Sequence, residues 1–337
     1  MIFTQRGTLG QVAIVPSTDH EMYVVSQSQM RLRVDTAKTT PEFVYYSFCL
    51  PRIVDLINSR AIATGVPHIN LGILGEIAIA VPPIDIQNAI TSVLTAVDDK
   101  IAANNKLAQR GRQLGRALLI DVIGGATSAQ RVDDLQRQSM LAFGDGYRTK
   151  RSELGQPGLG ILRVADIGDG TVDAAAIDFV SSQYRAAIGQ KTSRPNDVIV
   201  STKGTVGRVA IIPEEMPESV YSPQVCYFRV SRGSPVTPAY LWFWFQSDRF
   251  ISQAALLKSQ TDMADYINLS DIGSLTIDIP GPDDVGLLGA LDSLLALFIQ
   301  AHGESRSLAA IRDTLLPRLM SGEIRVREAE KAVEEAL

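Results

Sequence analysis

Two blocks of this chain repeat one another, and the duplication limits the fold more than any single motif does. Gly7 to Pro16 (GTLGQVAIVP) and Gly204 to Pro213 (GTVGRVAIIP) share the pattern Gly-Thr-hydrophobic-Gly-x-Val-Ala-Ile-hydrophobic-Pro at an offset of 197 residues. Each copy reads as a strand entering a glycine turn, followed by a strand that ends at proline. The glycines let the backbone take positive φ, and the Val-Ala-Ile run is expected to be buried. Ser26–Val34 matches Ser222–Val230 with the alternation of a half-buried strand. Pro41–Tyr46 matches Pro238–Phe243, where proline in a first turn before dense apolar residues predicts a buried helix. Ile69-Asn70-Leu71 matches Ile267-Asn268-Leu269, and the apolar stretch Glu76–Val81, expected as a strand, matches Ser274–Ile279. Because the offset moves only from 197 at Gly7 to 198 at Pro82, with one local slip to 196 at Ser26–Val34, whole units are duplicated, and 337 residues have room for two of them.

A long helical segment follows the proline of each copy. After its opening prolines, Pro82–Ile123 has no further proline, and a helix of that length would reach about 60 Å. In the second segment Leu291, Leu294, Phe298, Ala301, Ser305, Leu308, Arg312, Leu315 and Leu319 follow heptad spacing. The first segment offers Leu94, Val97, Ile101, Asn104, Ala108, Gly111, Gly115 and Leu118, whose small members suit close approach of a partner helix. The segments can pair only if the block between them folds back. The expected fold class is therefore α+β, with two β-rich domains separated by two long helices packed as an antiparallel coiled coil.

The corresponding division is residues 1–82 as one domain, 83–125 as the central long helix, 126–281 as the second domain, 282–322 as the distal long helix and 323–337 as a charged, solvated tail. Residues 126–199 have no counterpart in the first copy, whose matching stretch would lie ahead of Phe3. The first domain is therefore expected to be incomplete, and the second to be the better folded of the two.

The formal net charge is −5, so no global positive field draws the chain to nucleic acid, and any such contact must be local. Local candidates are Gln5, Arg6 and Thr8 on the first glycine turn, Lys203, Thr205 and Arg208 on the second, and the run Arg148-Thr149-Lys150-Arg151. Arg and Lys reach phosphates or guanine edges, and Gln suits adenine. The plain alternative for each is a solvated turn. Tyr45-Tyr46 and Trp242-Phe243-Trp244-Phe245 are expected to pack rather than to stack on bases. Cys49 and Cys226 lie in hydrophobic runs and read as free buried thiols, which fits a reducing cytoplasm. His20, His68 and His302 lie far apart, and the chain has neither a phosphate-binding G-x-x-x-x-G-K-[ST] loop nor a G-x-S-x-G elbow. No catalytic constellation emerges, which argues against an enzyme. The N-terminus lacks the pattern of a secretory signal, and no apolar run is expected to span a bilayer.

The whole arrangement resembles the specificity subunit of type I restriction-modification enzymes. The resemblance is carried by Asp197–Arg208 (DVIVSTKGTVGR), by the strand-to-proline elements Ile77–Pro83 and Leu275–Pro282, by Gln87 after Pro82-Pro83, and by Leu315–Ile324 (LLPRLMSGEI). The second copy departs from the proline-then-glutamine pattern, with Val285 in the glutamine's place and Gly281 between its prolines. The resemblance implies two target-recognition domains that each read one half of a split double-stranded DNA site. It also implies long helices that set the gap and dock methyltransferase subunits, with an ATP-dependent restriction subunit as a further partner. S-adenosylmethionine and ATP would belong to those partners, so the chain itself is expected to carry no cofactor. Two other readings stand beside this one: a coiled-coil scaffold with protein-binding heads, and a truncated specificity subunit that reads only one half-site with its second domain.

Overall fold

The computed structural model describes residues 1–16, 22–62, 66–126, 128–172, 178–257 and 265–334; His20 lies outside them. The chain divides into two compact units, Met1–Lys106 with Ala301–Leu337 (unit 1) and Leu107–Gln300 (unit 2).

Unit 1 begins with strands β1 (Ile2–Thr4), β2 (Val12–Ala13) and β3 (Gln29–Arg31), which form an antiparallel sheet in the order β2-β1-β3. Helices α1 (Pro41–Cys49), α2 (Pro51–Ser59) and α3 (Leu71–Gly75) follow. The Thr40 hydroxyl accepts a hydrogen bond from the Phe43 amide at 3.1 Å, and the Asn70 side chain accepts one from Ile73 at 2.9 Å. Each cap satisfies an amide that the first helical turn leaves without a partner. The core joins Phe3, Phe43, Phe48, Ile53, Ile57 and Ile69 to Leu94 and to Leu315 and Leu319.

The long helix α4 (Ile84–Gly125) contributes to both units. Unit 2 continues with β4 (Ser128–Arg131), α5 (Val132–Arg137), β5 (Leu141–Asp145), β6 (Gly158–Leu162), β7 (Phe179–Ser181) and α6 (Arg185–Ile188). Next come β8 (Val198–Ser201), β9 (Val209–Ile211), β10 (Ser219–Tyr221) and β11 (Val225–Val230). The unit closes with α7 (Pro238–Trp244), α8 (Asp248–Leu257), α9 (Leu269–Ser274) and β12 (Thr276–Ile279), ahead of the second long helix, α10 (Val285–Ser321). A short helix, α11 (Val326–Glu334), follows in unit 1.

The duplication extends to strand register. Phe3 lies opposite Val12 and Met30, and in unit 2 Val200 lies opposite Val209 and Cys226. The sheet β5-β11-β8-β9 thus contains the three-stranded sheet of unit 1 with β5 added outside β11. Thr237 and Asn268 repeat the two caps, accepting from Tyr240 at 3.1 Å and from Asp271 at 2.9 Å. Trp242, Phe243, Trp244 and Phe245 are all buried, and the Trp242 indole donates to the Gly170 carbonyl at 3.0 Å. Burial pushes the Cys226 thiol well above its ordinary pKa, and both cysteines are free.

The two long helices pack as an antiparallel coiled coil. Within unit 1, Asp98 binds Arg312 at 2.7 Å, Lys100 pairs with Glu304 at 3.1 Å, and Asn104 donates to Glu304 at 3.0 Å. Positions therefore fall along α10 as they rise along α4. Burial works against the Arg312 charge, but its hydrogen bonds to Asp98 and Asp313 outweigh that and hold its pKa above the ordinary value. Within unit 2, a Cβ added at Gly111 would lie 3.7 Å from Leu297 and 3.8 Å from Leu294.

Five expectations need correction. Gly115, read as part of the face against α10, instead makes room for a ring of α7: a Cβ there would lie 2.2 Å from Phe243 Cζ. The Val-Ala-Ile run is buried in unit 2 but not in unit 1, where Ala13, Ile14 and Val15 are exposed. In unit 2 Ala210 of the run, with Ile212 after it, packs with Leu162, Ile167 and Val172, which belong to the stretch without a counterpart in the first copy. For a related reason Glu76–Val81 joins no ladder among the described residues, whereas its copy β12 pairs with β4. The charged end is not wholly solvated: α11 buries Ala329 completely and packs Val326, Ala332 and Val333 on the core of unit 1, because its apolar residues recur at helical spacing. Finally, α10 is long and apolar enough, by length and composition, to cross a membrane.

Candidate nucleic-acid interface

Each unit presents one glycine turn, and the two are held by the same set of backbone hydrogen bonds. Gly7 and Gly10 have φ of +89° and +81°, and Gly204 and Gly207 have +77° and +90°. Such angles strain any residue with a Cβ, which is why glycine recurs at these positions. The Thr4 amide donates to Gln11 O at 3.0 Å, and the Ser201 amide to Arg208 O at 2.9 Å, closing the base of each turn. A clamp from outside the hairpin completes each turn. Gly7 N donates to Pro67 O at 3.3 Å and Ile69 N to Gln5 O at 3.0 Å; Gly204 N donates to Asp265 O at 3.2 Å and Ile267 N to Thr202 O at 2.9 Å. The clamping strands run directly into the Asn-capped helices α3 and α9, so the repeated Ile-Asn-Leu triplets serve both as clamp and as cap.

This arrangement places Arg6 in an antiparallel bridge with His68, and Lys203 in the equivalent bridge with Tyr266. Side chains directly opposite in such a bridge stand side by side. In unit 2 the Lys203 ammonium lies 5.9 Å from the centre of the Tyr266 ring, within the range of a cation–π contact.

The expected contact residues fall on three surfaces. Gln5 is half-buried, and Arg6 and Thr8 are exposed on the unit 1 turn; Lys203, Thr205 and Arg208 are exposed on the unit 2 turn. Arg148, Lys150 and Arg151 are exposed on the segment after β5. Their backbone is pinned by the buried Glu153, which accepts from the Lys150 amide at 2.9 Å and from the Tyr147 hydroxyl at 3.2 Å. Thr149 differs from its neighbours, since its hydroxyl is buried with no hydrogen-bond partner among the described residues. Among the described residues no hydrogen bond or ion pair joins this basic run to the Lys203 turn.

A groove flanks each turn at the same place in the repeat. In unit 1 it measures about 520 Å³ and is lined by Gly10, Gln11, Val12, Cys49 and Val54. In unit 2 it measures about 530 Å³ and is lined at the matching positions by Gly207, Arg208, Val209, Gln246 and Ile251. The unit 2 groove adds Arg112 and Arg116 from α4. Arg112 is committed to the protein: it donates to Gln246 at 2.6 Å, pairs with Asp169 and lies 5.6 Å from the Trp242 ring centre. Arg116 is exposed. Sequence reasoning missed His68 and Tyr266 as neighbours of the turn cations. The sequence marks only their place, each immediately preceding the matched Ile-Asn-Leu triplet, and not the turn residue that each one faces.

Behind the unit 2 turn, β8 is anchored by a buried charge pair. Asp197 accepts from Arg229 at 2.7 and 2.6 Å, from the Tyr221 hydroxyl at 2.7 Å and from the Arg194 amide at 2.9 Å. Its carboxylate is fully enclosed and fully hydrogen-bonded, the condition under which a buried charge is tolerated.

Residues 1–110 match the family described as the type I restriction modification DNA specificity domain. The chain is 22% identical over 299 residues to the type I restriction enzyme EcoBI specificity subunit of Escherichia coli, a match covering 78% of this chain and 60% of that protein. It is 20% identical over 329 residues to the MjaVIII specificity subunit of Methanocaldococcus jannaschii, covering 90% of this chain and 75% of the relative. The chain thus spans less than two thirds of the length of the E. coli relative. Among solved structures, a type I restriction-modification system S subunit from M. genitalium superposes with a TM-score of 0.61 at 15% identity, covering 94% of this chain and 82% of that one; this establishes a shared fold. Residues 1–110 thus match the specificity-domain family, and the chain as a whole is similar to two type I specificity subunits and shares the fold of a solved S subunit.

Proposed function

We propose that this chain is a non-catalytic DNA-recognition subunit that reads a bipartite double-stranded site, one half with each unit, and docks methyltransferase subunits along its long helices. The observation that carries the reading is the clamped glycine turn. It occurs twice with one backbone geometry and presents exposed cations each time, Arg6 in one copy and Lys203 and Arg208 in the other. A rigid turn with outward guanidinium and ammonium groups suits contact with phosphates and base edges. The net charge of −5 makes any such attraction local, with the partner subunits contributing to the enclosure of the DNA. On this reading methyl donor and nucleotide are bound by the partners, the complex works in the cytoplasm, and residues 1–82 and 126–281 are the recognition domains on either side of the long helices.

The test is DNA binding by the complex purified through a tag on this chain, measured against salt and against competitor sequences. The expected result is sequence-selective binding that weakens steeply as salt rises, with a footprint protecting two segments around an unprotected gap. Salt-insensitive binding of peptides, with no DNA selectivity, would replace this reading with that of a protein scaffold.

A further inference from the structure

The two clamped turns share their backbone but differ in the side chains that flank it. Gly-Thr is constant at Gly7-Thr8 and Gly204-Thr205, and every hydrogen bond of the clamp is repeated. The bridge pair is not constant, being Arg6 with His68 in unit 1 and Lys203 with Tyr266 in unit 2. If these pairs served only to hold the turn, nothing would require them to change, because the bridge is made by backbone atoms alone. If each served to read DNA, the two copies would need different pairs to read different half-sites.

We infer that His68 and Tyr266 are specificity-determining residues, each forming with the cation across the bridge a two-residue reader of base edges; the inference rests on the function proposed above. The chemistry of each pair fits that task. Arg6 can donate two parallel hydrogen bonds to a guanine edge, and the His68 imidazole beside it, whose Nδ1 lies 3.2 Å from the Val66 carbonyl, keeps Nε2 for the neighbouring base. Lys203 is a point donor whose direction is limited by the Tyr266 ring, 5.9 Å from its ammonium. Tyr266 adds a hydroxyl that both donates and accepts, and an apolar face suited to a thymine methyl group. Both ring residues are half-buried, so their orientation is restricted by the surrounding protein while one edge stays accessible. The clamp bonds are made by the residues on either side of each ring, Pro67 and Ile69 around His68 and Asp265 and Ile267 around Tyr266, so neither ring can be displaced far without opening the turn.

The experiment exchanges the pairs. In the complex purified through a tag on this chain, Lys203→Arg with Tyr266→His gives unit 2 the pair of unit 1, and Arg6→Lys with His68→Tyr does the reverse. Each complex is selected against a randomised duplex library, and its melting temperature and non-specific DNA affinity are recorded. The expected result is a changed base preference of about tenfold or more at one or two positions of a single half-site, a different half for each exchange. The other half-site stays as in the wild type. An unchanged profile, or a uniform loss of affinity across all sequences, would overturn the inference while leaving the recognition function standing; the second outcome would mark these cations as phosphate contacts only. A single Tyr266→Phe exchange guards against misfolding, because it keeps the ring and its packing; selectivity identical to wild type there, together with collapse of the double variant, also counts against a reading role. A wild-type complex without any sequence preference would remove both the inference and the function on which it rests.

Discussion

Ile14 and Ile211 occupy the same place in the repeat, yet Ile14 is 37% exposed and Ile211 is fully buried. Ile211 lies opposite Val198 of β8 in the sheet, and Val198 is itself fully buried. The same exchange should therefore have different costs: Ile211→Ser should destabilise unit 2 by about 3 kcal/mol or more, through lost burial and an enclosed hydroxyl. Ile14→Ser should stay within about 1 kcal/mol. Urea unfolding of the two variants checks this, and equal costs would contradict the difference in cover. A second prediction at this scale concerns alkaline pH. Burial, reinforced by the neighbouring Cys49, pushes Tyr45 up to about 12, and burial with a hydrogen bond to Asp98 raises Tyr46 as well. A tyrosine whose folded pKa lies above its ordinary value of about 10 favours the folded state fully below that pH. That contribution is lost as pH climbs through the folded value. Stability should accordingly fall between about pH 10 and 12, and the double variant Tyr45→Phe/Tyr46→Phe should show a shallower fall in the same denaturation series.

At the scale of elements, the two glycines of α4 separate two kinds of close packing. Gly111→Ala adds a methyl at ordinary contact distance from Leu294 and Leu297 and removes a glycine from a helix interior, so it should be neutral or stabilise by up to about 1 kcal/mol. Gly115→Ala drives a methyl into the buried Phe243 ring and should destabilise by about 1–3 kcal/mol despite the better helix propensity. Thermal melts of the two variants should move in opposite directions. This contrast also marks what the sequence makes legible. Heptad spacing disclosed that Ala108, Gly111 and Gly115 lie inward, because periodicity reports which face of a helix is buried. It could not disclose that Gly115 faces α7 rather than α10, because the partner of a buried face is chosen by tertiary packing over a long sequence separation. The duplication disclosed strands, caps and turns in order, since each has a local signature. It said nothing of what covers them, and there the exposed Ala13–Val15 run and the Glu76–Val81 segment, which joins no ladder among the described residues, differ from their copies. At the candidate site the cations of the turns were legible from their place beside glycine. Their ring partners were not, because the bridge joins residues more than sixty positions apart.

For the molecule as a whole, the long helices are the feature on which the proposed reading of a split site depends. Both α4 and α10 continue without a break from residues of one unit into residues of the other, and they are matched in antiparallel register by Asp98 with Arg312 and Asn104 with Glu304. If this pair sets the gap between half-sites, lengthening it must change the gap alone. Seven residues inserted after Lys106 in α4, and seven after Gln300 in α10, add two turns and about 10 Å to each helix. Seven is the appropriate number because it nearly restores the angular position of every following side chain, so the buried face stays aligned. An insertion of four would rotate that face by about 40° at 3.6 residues per turn and confound length with twist. The expected outcome is a selected site whose two half-sequences are those of the wild type and whose unread gap grows by about three base pairs, at 3.4 Å per base pair. The measurement is the same library selection used for the exchange of reader pairs. A preserved gap would mean that spacing is set by something other than the helices. A change in half-site sequence would mean that recognition is not confined to the units that carry the clamped turns.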